Sequence, residues 1–260
     1  MKVYITTDME GISGISDSRQ VCCEPGSPEY AEGRRLLTAE VNAAVEGALA
    51  GGARDIVVTD GHGSGHNFLI EELHPEARYV SAPFSVKVAQ ALDESFDAVV
   101  LLGYHAMAGT ACAIIDHTQF GQVWFNYYLN GRRAGEIAQG AAIAGHYGVP
   151  VVCVTGDAAT CAEARELLGD VETVAVKEGY ARYVALLLHP QKARRLITEA
   201  VARALGRLAD FKPYRLETPI EVRIEVQRSN DADRYQRLGW QRLDGRTIVK
   251  TVPDALGIID

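Results

Sequence analysis

The feature that most constrains this chain is a set of short runs that are apolar at nearly every position, each closed by glycine, aspartate or both. Val3-Tyr4-Ile5 leads into Asp8, Ile56-Val57-Val58 into Asp60-Gly61, and Ala98-Val99-Val100-Leu101-Leu102 into Gly103. Residues 149–155 lead into Gly156-Asp157. A strand with one wet face alternates apolar and polar residues. A continuous apolar run is buried on both faces, as in a parallel strand between two layers of helices. The intervening stretches supply the helices. Leu37, Val41, Val45 and Leu49 recur every four residues across residues 30–49, and Gly51-Gly52 ends that helix. Further helices are predicted from Glu136 to about His146, over residues 158–168 and over 190–208, with a fifth strand at 173–176. The fold class is therefore α/β: a mostly parallel sheet covered by helices on both faces.

After Pro213 the texture changes. Ile220, Val222, Ile224 and Val226 alternate with polar residues, the pattern of a half-exposed strand. Two parts are expected: residues 1–213 as an α/β domain and residues 214–260 as a smaller C-terminal α/β subdomain. The 260 residues suffice for one large domain and a small lobe.

Charge and cysteine content narrow the partners. Lys and Arg total 26 against 34 Asp and Glu, a net charge of -8. That balance repels phosphate backbones and anionic lipid, so neither nucleic acid nor a membrane is an expected partner. No run of about 18 apolar residues is present to span a bilayer. The five cysteines are an odd number, and the adjacent Cys22 and Cys23 are poorly placed to bridge each other. A reducing, cytoplasmic location is expected.

Chemistry collects at the strand ends. The first strand runs into Asp8-Met9-Glu10, the second into Asp60-Gly61-His62 and the third into Gly103-Tyr104-His105. Binding sites in open parallel sheets form beyond the carboxyl ends of the strands, so Asp8, Glu10, His62 and His105 can meet in one crevice. If the extended conformation persists to residue 10, its period of two puts both carboxylates on one side. Carboxylate with imidazole suits Zn²⁺ and its first-row neighbours. Each such residue alone reads as a turn or cap residue; three strand ends carrying them together point to a metal. Glu136 alone reads as a favourable charge at the positive end of a helix. His117, in Asp116-His117-Thr118, alone reads as structural. Trp124, Phe125, Tyr127 and Tyr128 read as core or subunit contacts, one of them lining a pocket.

The segment Asp8-Met9-Glu10-Gly11-Ile12-Ser13-Gly14, directly after the first strand, resembles the signature of the D-aminopeptidase family of zinc peptidases. The segments Thr59-Asp60-Gly61-His62, Leu102-Gly103-Tyr104-His105-Ala106, Asp116-His117, Gly135-Glu136 and Gly156-Asp157 follow in the family's order. The resemblance covers most of residues 1–210. It implies a zinc-dependent aminopeptidase that releases the N-terminal residue, D in the family's name, from short peptides. It further implies two Zn²⁺ ions per chain, with Asp8 bridging both. Glu10 and His62 would complete one ion's ligands, His105 and Glu136 the other's. His117 matches the family's catalytic histidine, as general acid or as oxyanion stabiliser. Ring-shaped homo-oligomers, a decamer among them, are the family's assembly. One departure concerns oligomer contacts rather than metal ligands: a long helix is expected after the Asp254-Ala255-Leu256 segment, where four residues follow here.

Two other readings stand beside this one. A two-metal phosphoesterase uses a similar centre, and Arg132 and Arg133 lie just before Glu136. A non-catalytic metal- or nucleotide-binding module is the other. Gly61-His62-Gly63-Ser64-Gly65 resembles a phosphate loop, but neither G-x-G-x-x-G nor a P-loop is present.

Overall fold

The computed structural model describes residues 1–22, 24, 26–63, 65–80 and 91–259. Cys23 and Ser64, noted above, lie outside the described residues. The first half of the chain runs β1 (Lys2–Thr7), α1 (Pro28–Ala50), β2 (Asp55–Asp60), β3 (Arg78–Val80), β4 (Ala98–Tyr104), β5 (Trp124–Leu129), β6 (Arg132–Arg133) and α2 (Glu136–His146). The second half runs β7 (Val151–Asp157), α3 (Ala158–Leu168), β8 (Glu172–Ala181), β9 (Val184–Leu187), α4 (Pro190–Gly206), β10 (Ile220–Val226), α5 (Ser229–Arg237), β11 (Gln241–Arg242) and β12 (Thr247–Val252). Local chemistry sets the helix starts. The Ser27 hydroxyl accepts the Tyr30 N–H ahead of Pro28, and Asp157 accepts the Thr160 N–H at the head of α3.

The α/β expectation holds. β3-β2-β1-β4-β7-β8-β9 form one sheet, parallel except where β9 folds back on β8. Alternate residues of each strand serve different faces. Val3, Ile5, Ile56, Val58, Val100 and Leu102 pack with Leu37, Val41 and Val45 of α1 and with Ile197 and Val201 of α4. Tyr4, Val57, Val99 and Leu101 pack with Ile137 and Ala141 of α2 and Ala164 of α3. Full burial of each large aliphatic side chain contributes about 1.5–3 kcal/mol, which is why the runs tolerate no polar residue.

The second face also carries a five-stranded antiparallel sheet, in the order β11-β12-β10-β5-β6. The alternation in β10 points Ile220, Val222, Ile224 and Val226 inward against Trp124, Tyr127 and Leu129 of β5. Trp124 and Tyr127 stack at 5.3 Å, whereas Phe125 points outward. β10, α5, β11 and β12 come from residues 214–260, while β5 and β6 come from well before residue 213. Among the described residues no helix is long and apolar enough to cross a membrane.

Candidate metal centre

β2, β1 and β4 are neighbours and parallel, so their carboxyl ends share one edge. Asp8 follows β1, His62 stands two residues beyond β2, and His105 follows β4. β1 ends at Thr7, so the two carboxylates of the Asp8-Met9-Glu10 segment do not meet through strand alternation. The chain turns instead: Asp8 N–H donates to Leu102 O at 2.8 Å, Gly11 N–H to Gly103 O at 2.7 Å and Ile12 N–H to Met9 O at 3.1 Å. This turn lies flat on the end of β4 and requires both glycines. A Cβ on Gly11 would sit 1.9 Å from Tyr104 O. Gly103 has φ +71, and a Cβ there would sit 2.4 Å from Asp8 O.

The other two residues come from the flanks of the β5–β6 hairpin. His117 lies in the loop before β5, and Glu136 opens α2 just after β6. Gln119, at φ +53, donates its N–H to Glu136 Oε1 at 2.7 Å.

All six residues named from the sequence meet. His105 Nε2 lies 3.2 Å from both Asp8 Oδ2 and Glu136 Oε1. His62 Nε2 lies 3.2 Å from Glu10 Oε1, and His117 Nε2 lies 3.8 Å from Glu136 Oε1. The His105 and His117 rings stack with centroids 4.0 Å apart. His105 Nδ1 faces Ala106 O at 3.0 Å and His117 Nδ1 faces Ile115 O at 3.1 Å. A carbonyl only accepts, so each Nδ1 carries a hydrogen and each Nε2 is turned to the carboxylates. Two sets bring ligand atoms within 4.8 Å of one another: Asp8, Glu10 and His105, and His105, His117 and Glu136. His62 joins the first set through Glu10.

The cluster fits a metal. Asp8, Glu10 and His105 are nearly inaccessible, and among the described residues Glu10 Oε2 and His62 Nδ1 are buried with no hydrogen-bond partner. Burial, and then the charge of Asp8, push the Glu10 carboxyl up to about 8. Burial opposes ionisation of Asp8 too, but the hydrogen bond and charge of His105 hold it well below the usual carboxylate range. Burial likewise disfavours the His105 cation, yet Glu136 and Asp8 hold it well above the ordinary histidine value. Three packed carboxylates and imidazoles with nitrogens turned inward are the donor set of Zn²⁺ and its neighbours. The cluster opens to a cavity of about 260 Å³ lined by Asp8, Gly61, His62, Gly63, His117, Gln119, Phe120 and Glu136. Its aromatic wall is Phe120, not a member of the aromatic run in β5.

Three supporting residues, Asn67, Gln119 and Lys177, were not read from the sequence. Asp60 accepts both the N–H and the side-chain amide of Asn67, at 2.6 and 2.9 Å, and Asn67 also donates to His62 O at 2.7 Å. The pair closes the turn that carries His62. Gln119 signals itself only through its left-handed backbone.

Fold and site together describe an α/β protein that gathers metal-ligating side chains at the carboxyl edge of its parallel sheet. The model of the peptidase M55 family, D-aminopeptidase, matches residues 1–260. The D-aminopeptidase of Bacillus subtilis (strain 168) is 37% identical over 254 residues, covering 96% of this chain and 88% of that protein. The solved structure of DppA from Bacillus subtilis, a Zn-dependent D-aminopeptidase described as a self-compartmentalizing protease, superposes with a TM-score of 0.93 at 35% identity. The match covers 99% of this chain and 94% of that one. The chain belongs to the D-aminopeptidase family of peptidases.

Proposed function

We propose that this protein is a zinc-dependent aminopeptidase that releases the N-terminal residue, of D configuration, from short peptides. Two zinc ions would be held by Asp8, Glu10, His62, His105 and Glu136, with Asp8 shared and His117 as the catalytic residue. The observation that carries the reading is the meeting of these six side chains, from five separate segments, in one buried cluster that opens to a small cavity. Zinc in such a centre acts as a Lewis acid, acidifying water and polarising a carbonyl.

The chain's own residues supply the rest. Gln119 N–H and the start of α2 hold the Glu136 carboxylate in place. His117, with Nδ1–H fixed on Ile115 O, presents Nε2 to the cavity wall, where it can pass a proton to a leaving amine. Walls of modest volume and one aromatic side chain favour a short substrate. Among the described residues no Lys or Arg lines the cavity. Arg132 pairs with Glu166 and Arg133 with Ala108 O, so neither gives support to a phosphate ester as substrate.

The self-compartmentalizing relative supports assembly as a ring-shaped homo-oligomer, a decamer in the fullest reading. Tyr180, Tyr183, Val184, Leu186 and Leu187, exposed along the β8–β9 hairpin, are consistent with a covered surface. Cytoplasmic residence is part of the proposal, and the free thiols of Cys112, Cys153 and Cys161 accord with it.

The test is a hydrolysis panel of matched D- and L-alanine anilides and dipeptides beside a chromogenic phosphate ester, each with and without chelator. Chelator-sensitive release of the N-terminal D-residue is expected. Activity indifferent to chelation, or confined to the phosphate ester, would overturn the reading.

A further inference from the structure

Lys177 stands midway along β8, one residue past the predicted apolar strand, and is only 3% exposed. Its Nζ donates to three backbone carbonyls, Glu10 O at 2.5 Å, Ile12 O at 2.8 Å and Ile15 O at 2.5 Å. An ammonium has three donors, so all are used, and none goes to a carboxylate. Taking an ammonium out of water is costly, and an apolar side chain of similar volume would fill the same space without that cost. The position therefore needs what only a cation of this reach supplies: one charged point that gathers three carbonyls of a single turn.

The same turn is held from a second direction. Ser13 N–H donates to Glu40 Oε1 at 2.8 Å, and Glu40, on α1, is fully buried. Met9, Ile12 and Ile15 are fully buried alongside. Residues 10–15 are thus fastened by a buried cation on their carbonyls, a buried carboxylate on an amide and three apolar anchors. The Glu10 carboxylate is left facing His62 and Asp8.

We propose that Lys177 is a positioning residue for the metal centre. By fixing the backbone of residues 10–15 it aims the Glu10 carboxylate at one of the two zinc ions. The inference rests on the zinc reading above. It goes further in naming a residue on β8, three strands from β1 in the sheet and outside every segment that carries the family resemblance, on which one ion depends.

The test is zinc affinity, measured on the full-length protein by competition with a chromogenic chelator, beside thermal unfolding. In Lys177→Met one zinc ion should bind roughly 10–100-fold more weakly, as for loss of an outer contact to a metal ligand, and the other should be unchanged. Hydrolysis at limiting zinc should fall, and it should return toward the wild-type rate when zinc is raised. Lys177→Gln keeps amide donors in the same space and should fall between, which carries the test if the Met variant does not fold. Ile248→Ala, a cavity in the other sheet, serves as control: it should lower the unfolding temperature without changing either zinc affinity. Wild-type affinity for both ions in the Lys177 variants, whatever their unfolding temperature, would overturn the inference alone. Wild-type protein that binds no zinc would overturn the metal reading itself, and the two failures are seen separately.

Discussion

The parallel sheet is covered on both faces, and the ends of β1, β2 and β4 deliver Asp8, Glu10, His62 and His105. The antiparallel sheet is covered on one face, and the flanks of its β5–β6 hairpin deliver His117 and Glu136. The two halves meet through His105, which touches Asp8 on one side and Glu136 on the other. One sheet fixes candidate ligands by where its strands stop; the other places a loop and a helix start against them. Turns at the ends of buried parallel strands are held by neighbours on both sides, whereas a loop before a half-exposed strand is held mainly through its own contacts, such as Gln119 N–H on Glu136.

The sharpest break between the halves is expected at His117. His117→Ala should lower turnover by roughly 10²–10⁴ while zinc content stays at the wild-type level, because the five other residues remain. Zinc analysis with steady-state rates checks this. Loss of zinc along with activity would move His117 into the ligand set, where its stacking on His105 and its distance to Glu136 also permit it to be.

A smaller effect tests whether the two sheets fold as one. Ile224 in β10 and Ile5 in β1 are both fully buried, and Ile224 shares a core cluster with Tyr4 and Leu101 of the parallel sheet. Ile224→Ala and Ile5→Ala should each cost about 2–5 kcal/mol and each shift a single cooperative transition in calorimetry. Two transitions, with Ile224→Ala moving only one, would make residues 214–260 a separately folding unit. The division at 213 remains a proposal that this experiment decides.

The smallest effect lies at the joint between the halves. Glu163, on α3, accepts Met107 N–H just beyond His105 and lies against Gly135 just before Glu136. Burial pushes its carboxyl up to about 7, against the partial relief of the Met107 N–H. The native state thus holds this proton more tightly than the unfolded chain. The resulting stability is fully present below about pH 4.5 and is lost as pH rises through about 7, by at most ~3 kcal/mol. In chelator-treated protein, Glu163→Gln should remove that part of the decline in urea unfolding between pH 5 and 8. Parallel pH profiles for the two proteins would contradict it.

How much was legible in the sequence follows the same division. Burial on both faces writes a strand as an apolar run, so β1, β2, β4 and β7 and the polar residues that end them could be read directly. The antiparallel sheet was legible only in part. The alternation of Ile220 to Val226 marks β10, but its partner β5 lies some 90 residues earlier, and no local pattern records that pairing. His117 and Glu136, taken alone, read as structural; only the family resemblance gave them roles. Lys177 was missed because a lysine after a strand looks like the chain emerging into water, and its burial is a tertiary fact. The meeting of Asp8 and Glu10 was expected for the wrong local reason, since strand alternation stops at Thr7 and the turn over Gly103 does the work.

The most direct test of the shared metal site is a crystal of the protein grown with zinc, with anomalous scattering recorded on either side of the zinc edge. Two peaks are expected inside the cluster, both in contact with Asp8, one completed by Glu10 and His62 and the other by His105 and Glu136. A single peak, or peaks outside this cluster, would contradict it.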